Sequence, residues 1–376
     1  MNQEKAPLSP LQEVDCKTAS RFGRLLRPKG MSSRLRIKND DRLSTYHAMS
    51  RTAGGEYLFD DVAKEALRKL IWKMAAFSGV EVLTYCIMDN HFHVLVSIPE
   101  RSRWLARFAG EKGEEKFLRH LSTVYSHAFV QQLRAELLDL RAAGRDADAV
   151  SLLTRFKDRL CDISKFMKEV KERFTRWFNK HYGRRGTLWM DRFKSVLVQG
   201  PGRVCDLLDQ ENASLMMANY IDLNPVRAGI CQDPKDYRWC GYGEAMGGSK
   251  RARRGLNRVQ QMPLDNWETT TKGRASGAER YRMLLFGKAV VKVQASTEKV
   301  VRKGIEPAKV YEVRSSDGKL SRAEMLRCRI RYFSEGRVIG AKSFVKGFKS
   351  EAMRTKERAV EMGHGLFVPR RPAIRE

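Results

Sequence analysis

Between Val80 and Ile98 the sequence is apolar almost without a break, VEVLTYCIMDNHFHVLVSI, and only Asp89-Asn90 divides it. Each half has the length of a strand and is rich in β-branched and aromatic residues. Asp-Asn is a turn signal, so the segment reads as a β-hairpin of Val80–Met88 and His91–Ile98. The hairpin restricts what its neighbours can be, because a two-stranded ribbon is marginal alone and needs further strands or a helix to cover it.

The flanking sequence supplies both. Leu43–Thr52 has β character. Phe59–Phe77 places Val62, Ala66, Leu67, Leu70, Ile71 and Met74 at helical spacing, with Asp60 or Asp61 as its N-cap. Ile163–Asn179 is a second amphipathic helix, Leu188–Val198 alternates as a strand, and Asp206–Asp222 reads as a helix ended by Asn224-Pro225. The order strand, helix, strand, strand, helix, strand, helix begins with the split βαβ of ferredoxin-like folds, with the first and the His-bearing strand side by side at the centre. The fold class is therefore α+β: a ferredoxin-like core with a helical insertion and a mainly helical C-terminal extension.

The expected organisation is a basic flexible arm over 1–42, a catalytic-type domain over 43–245 and a basic linker and irregular region over 246–320. A basic helical region follows over 321–376. Residues 101–161 form an insertion in the domain, which includes a helical pair broken near Gly144 and packs on the core or reaches a partner. Near the C-terminus, Ser321–Tyr332 and a helix starting at Ser343 flank a Gly-containing turn, and they fit a helix-turn-helix and a plain helical hairpin equally well.

Charge narrows the partner. The 376 residues carry 72 Lys+Arg against 44 Asp+Glu, a formal net charge of +28. Such an excess attracts a polyanion, most often nucleic acid. No stretch of about 18 apolar residues is present to span a bilayer. The polar Met1–Asp15 precedes no signal-peptide core, so a cytoplasmic protein is expected. Seven cysteines without a CxxC pair fit a reducing compartment and argue against a zinc ribbon.

Two weak signals carry chemistry. His91 and His93 alternate on one strand, so their imidazoles share a face and can bind one cation. Tyr220 and Asn224 are four apart in ANYIDLNPVRAG and would share a helix face, offering a nucleophile and an oxygen ligand. An incidental HxH and a core tyrosine are the bland readings of each alone. His47 faces the same site or is a half-buried structural histidine. Arg192, Lys194 and Arg227 are candidates for phosphate contacts, and His47 is a further candidate for DNA binding. Trp177, Phe178 and Trp189 fit core packing better than base stacking.

MDNHFHVLVSIP resembles the HUH motif of single-tyrosine transposases. ISKFMKEVKERFTRWFNKHYGRRGTLWMDRFKSVLV is similar to the helix and strand that follow it. NYIDLNPVRAGIC, with YRWCGY downstream, resembles the tyrosine helix of the branch called REP-associated tyrosine transposases, and YHAMSRT their first strand. The likeness spans roughly 43–100 and 162–243. It implies a ferredoxin-like sheet, Tyr220 as nucleophile forming a 5′-phosphotyrosine, and His91 and His93 as ligands of a divalent metal, with Asn224 as the expected third. It also implies single-stranded DNA next to a hairpin repeat as substrate. Phe92 stands between the histidines where aliphatics are common, and keeps that position hydrophobic. Imidazoles with a carboxamide suit Mg²⁺ or Mn²⁺, two imidazoles tilting towards Mn²⁺. A phosphotyrosine conserves the bond energy, so joining needs no ATP, and no GxxxxGK[ST] loop is present. The competing readings are a catalytically silent DNA-binding regulator and a metal-dependent nuclease without a covalent tyrosine. Monomer and homodimer remain open.

Overall fold

The structure, a computed structural model, describes residues 42–198, 200, 213–263, 266–268, 275–287 and 304–321, and the backbone of four short strands beyond residue 291. The basic arm up to residue 41 lies outside the described residues. The first elements follow in the expected order: β1 (Ser44–Arg51), α1 (Asp61–Ser78), β2 (Glu81–Ile87) and β3 (His91–Ile98). Asp60 caps α1 by accepting the Ala63 N–H at 2.8 Å. Gly79 ends it in the left-handed region, φ 71°, where the Trp104 ring also leaves no room for a Cβ.

The insertion is four helices: α2 (Arg101–Leu105), α3 (Gly113–Leu121), α4 (His127–Ala142) and α5 (Asp146–Lys157). The expected break at Gly144 separates the last two, with φ 71°. Then come α6 (Ile163–His181), β4 (Lys194–Val198), α7 (Ala213–Asp222) and the single turn α8 (Asn224–Arg227). β4 is shorter than the strand expected over Leu188–Val198. The Trp189 indole turns into the core and donates to Thr175 Oγ1 at 3.0 Å, and only an isolated bridge joins Trp189 to Thr52 before the chain bends. Asn224-Pro225 does not end the helical path but opens α8, with Pro in its first turn, where a missing N–H costs nothing.

The four strands form an antiparallel sheet in the order β2-β3-β1-β4, the ferredoxin-like arrangement, with β1 and β3 at its centre. Apolar clusters cover both faces. On one, Tyr46, Ala48, Phe92, Val94 and Val96 meet α1 and α6, and the same cluster takes in Phe117, Leu118, Leu133 and Leu137 of the insertion. The insertion therefore packs on the core. On the other face, Leu83, Cys86 and Leu95 meet Leu215, Ala218 and Ile221 of α7. A register shift between Val82 and Thr84 resets the alternation of β2, so that residues three apart share a face: Val82 and Tyr85 in the first cluster, Leu83 and Cys86 in the second.

Helices from the region expected as a basic linker and irregular segment over 246–320 instead pack into this second core. After α9 (Gly241–Met246), α10 (Lys250–Val259) buries Ala252, Leu256 and Val259, and α11 (Gly277–Gly287) and α12 (Pro307–Ser315) add Tyr281, Leu285, Val310 and Val313. The apolar positions of α10 are small and sparse among its Arg and Lys, so its charge hides the 3.6 period. Gly255 brings α10 against β2: a Cβ there would lie 2.5 Å from Leu83 O and 2.7 Å from Val82 O. The helices expected over Ser321–Tyr332 and from Ser343 lie outside the described residues. Within 321–376, Arg358–Gly363 and Leu366–Arg370 (β7 and β8, after the short pair β5, Lys292–Gln294, and β6, Lys299–Arg302) form an antiparallel pair, not helix.

Gly255→Ala must push α10 off two backbone carbonyls. It should lower the unfolding free energy by about 1–3 kcal/mol, read by urea denaturation, and an unchanged midpoint would exclude the close approach.

Candidate active site

β1 and β3 place three imidazoles on the sheet face covered by α7. Met49 pairs with His93, Arg51 with His91 and His47 with Leu95, so His47, His91 and His93 all project to that side. His47 Nε2 lies 2.8 Å from His93 Nδ1, and the two rings stack with centroids 5.1 Å apart. The His91 and His93 centroids are also 5.1 Å apart, at 85°. His91 Nδ1 lies 2.6 Å from Asn90 Oδ1, and Asn90 Nδ2 donates to Gly55 O at 2.8 Å.

Burial keeps these rings neutral. It lowers the pKa of His47 to about 4, and that of His91 to about 4 with help from the Arg51 charge. His93 is lowered further still, by burial first and then by His47, His91 and Arg227. Neutral imidazoles have lone pairs available for a cation near pH 7.

Tyr220 comes from α7. Leu215, Ala218 and Asp222 mark the buried face of this helix, whereas Met216 and Tyr220 lie on its outer side, and Tyr220 is 46% exposed. It is therefore not a core tyrosine. Its ring centroid is 6.1 Å from that of His93 and 6.3 Å from that of His47, both edge to face. Arg227 folds back from α8: its guanidinium lies 4.2 Å from the Tyr220 ring centroid and donates to Tyr220 O and, at 3.2 Å, to Asn224 Oδ1. Asn224 Nδ2 donates to Ile221 O at 3.0 Å, so this carboxamide is engaged within the helix.

The structure thus brings together His47, His91, His93 and Tyr220, with Arg227 against the tyrosine. Lys194 pairs with Met49 and projects, exposed, from the same sheet face. Arg192 is exposed but precedes β4 in a bend. Phe178 and Trp189 are core residues and Trp177 packs against them. Among the described residues no three His, Cys, Asp or Glu side chains form a group that could hold a metal, so the donors fit an ion only as a partial set, two neutral imidazoles with other positions left to the substrate.

Sequence reasoning missed Asn90, Arg51 and Asp222. Asn90 was spent on the turn signal. Asp222 is fully buried two residues after Tyr220. Its Oδ1 accepts from Thr84 Oγ1 at 2.9 Å and Tyr242 N at 3.1 Å, and its Oδ2 from Tyr281 Oη at 2.7 Å. The available signal was its helical spacing from Leu215 and Ala218. Burial pushes its pKa up to about 7, against the pull of those donors.

A ferredoxin-like sheet carrying a His-x-His pair under a tyrosine-bearing helix defines the class. Residues 42–113 match the family model described as transposase IS200 like. The matched segment spans β1, α1, β2 and β3 and includes His47, His91 and His93. One similar solved structure is described as "Structure of the REP associates tyrosine transposase bound to a REP hairpin", with 14% identity, 66% of this chain and 97% of that chain covered, and a TM-score of 0.35. No curated protein matches the chain.

Asp222 binds a proton more tightly folded than unfolded. Its contribution is full below about pH 3.8 and is lost as pH rises through about 7. The stability difference between the native chain and Asp222→Asn should therefore shrink from pH 5 to pH 8 in thermal melts. A difference that is constant or grows would show that the carboxyl is ionised throughout.

Proposed function

We propose that this protein is a metal-dependent single-stranded DNA endonuclease and strand transferase of the transposase type, acting in the cytoplasm on DNA beside hairpin repeats. The observation that carries this reading is the exposed Tyr220 ring 6.1 Å from the His93 ring, whose neighbour on the strand, His91, lies 5.1 Å from it. His91 and His93 would hold Mg²⁺ or Mn²⁺, and Asn224 Oδ1 keeps a lone pair as a further donor. When bound, the ion would polarise the scissile phosphate and offset the charge that develops on its oxygens.

The Tyr220 oxygen attacks phosphorus. A Tyr–O–P bond forms and the bond to the 3′ oxygen of the preceding nucleotide breaks, that oxygen leaving with a proton as a free 3′-OH. The 5′ end stays on Tyr220 until the 3′-OH of another strand attacks the same phosphorus and releases the tyrosine. Arg227 holds the nucleophile's helix turn and ring. Arg51 and Lys194, on the same face of adjacent strands, would take non-bridging phosphate oxygens along the strand.

Incubation with single-stranded DNA flanking the protein's own gene should give an SDS-resistant adduct with Mn²⁺ or Mg²⁺. EDTA, Tyr220→Phe and His91→Ala should each abolish it. Metal-dependent cleavage that persists in Tyr220→Phe would replace this reading with a nuclease lacking a covalent step. Binding without cleavage by the native chain would leave a DNA-binding regulator.

For DNA binding, Lys194→Ala and Arg51→Ala should each reduce the slope of log affinity against log salt by about 1, weakening all sequences alike. An unchanged slope would remove either residue from the phosphate path.

A further inference from the structure

We infer that Asn90 and His47 are paired positioning residues that fix the tautomers of His91 and His93, so that both metal-site rings carry their proton on Nδ1 and present Nε2 to the ion. This rests on the proposal that His91 and His93 hold a metal.

The assignment starts from Gly55 O, which can only accept. The Asn90 group 2.8 Å away must therefore be the NH₂ of its carboxamide, which turns Oδ1 towards His91. Oδ1 is itself an acceptor, so the His91 nitrogen 2.6 Å from it, Nδ1, must carry the proton. Asn90 is 8% exposed, and its own backbone carbonyl accepts the Thr52 N–H and hydroxyl at 2.9 and 3.0 Å, so the residue has little freedom to turn. The chain Gly55, Asn90, His91 thus leaves only Nε2 of His91 with a lone pair.

On the neighbouring ring, His93 Nδ1 faces His47 Nε2 at 2.8 Å, and one proton lies between two neutral rings. If it sits on His93 Nδ1, His93 Nε2 is free and the two rings of the HxH pair match. If it sits on His47, Nε2 of His93 carries the proton and the pair is mismatched. A ligand histidine whose second nitrogen donates to a fixed acceptor is the usual way a site sets ring orientation and basicity. Two acceptors of different chemistry, at the same atom of alternate residues on one strand, point to that arrangement here. His47 is then not a third ligand, since its Nε2 lone pair is spent on His93.

Long-range ¹H–¹⁵N correlation spectra of the histidine rings in the metal-free native chain test this directly. Both His91 and His93 should show the Nδ1–H pattern, kept on addition of Mg²⁺, with the shift change falling on Nε2. An Nε2–H pattern on either ring would overturn the assignment for that ring, and a Mg²⁺-induced change centred on His93 Nδ1 would make His47 a ligand instead. Mn²⁺ titration adds a second readout. Asn90→Leu and His47→Phe should each weaken Mn²⁺ binding by about 10–100-fold, whereas His47→Gln, which keeps an acceptor, should restore most of it. Unchanged Mn²⁺ affinity in folded Asn90→Leu would remove Asn90 from this role. Nδ1–H tautomers in a native chain that binds neither ion would sustain the ring assignment and sink the metal reading alone.

Discussion

The site depends on one buried carboxyl. Asp222 sits in the last turn of the tyrosine helix and ties it to β2 through Thr84, to α9 through the Tyr242 N–H and to α11 through Tyr281. These ties come from three separate stretches of chain, and they fix both the depth and the rotation of α7 on the sheet. Tyr220 is thereby held beside His47 and His93 of its own chain, on a rigid element instead of a loop. A buried polar group with several partners is costly to disrupt, because each partner would be left unsatisfied. Position of Tyr220 and integrity of the second core are therefore one quantity.

A parallel network secures the helices that follow. Glu244 in α9 accepts from Arg68 and Trp72 of α1, both at 2.9 Å, and from Tyr85 of β2 at 2.5 Å. α9 thus grips the β2 edge of the sheet, and its neighbour α10 packs on β2 through Gly255. Burial is also the first cause of the lowered pKa of each site histidine.

Much of this was legible in the sequence. The hairpin, the cap at Asp60 or Asp61 and the break at Gly144 follow from local patterns, and the central pairing of β1 and β3 from the order of the elements. His91, His93 and Tyr220 could be placed on their elements from period and order. What escaped was set by tertiary partners. Asp222 looks like an ordinary helix acid until its three donors, two of them more than a hundred residues or several elements away, are assembled around it. Asn90 looks like a turn residue because the turn uses its backbone, and its side chain acquires a role only once Gly55 is brought opposite. Of the helices beyond residue 246, α10 was hidden by composition: a helix whose buried apolar residues are Ala252, Gly255, Leu256 and Val259 among arginines has little apolar contrast to read.

The two faces of the sheet have different duties. The four inserted helices join the apolar cluster on the side of Phe92 and Val94, while the imidazoles and the tyrosine occupy the other side. Because neighbours on a strand point to opposite faces, Phe92 and His93 share a backbone but not a surroundings. The sheet works as a partition: helices added, lengthened or lost on the Phe92 side rebuild that surface without crossing to the imidazoles and the tyrosine. A chain built this way can acquire new bulk, and new surfaces for contact, while its histidine–tyrosine cluster stays where it was.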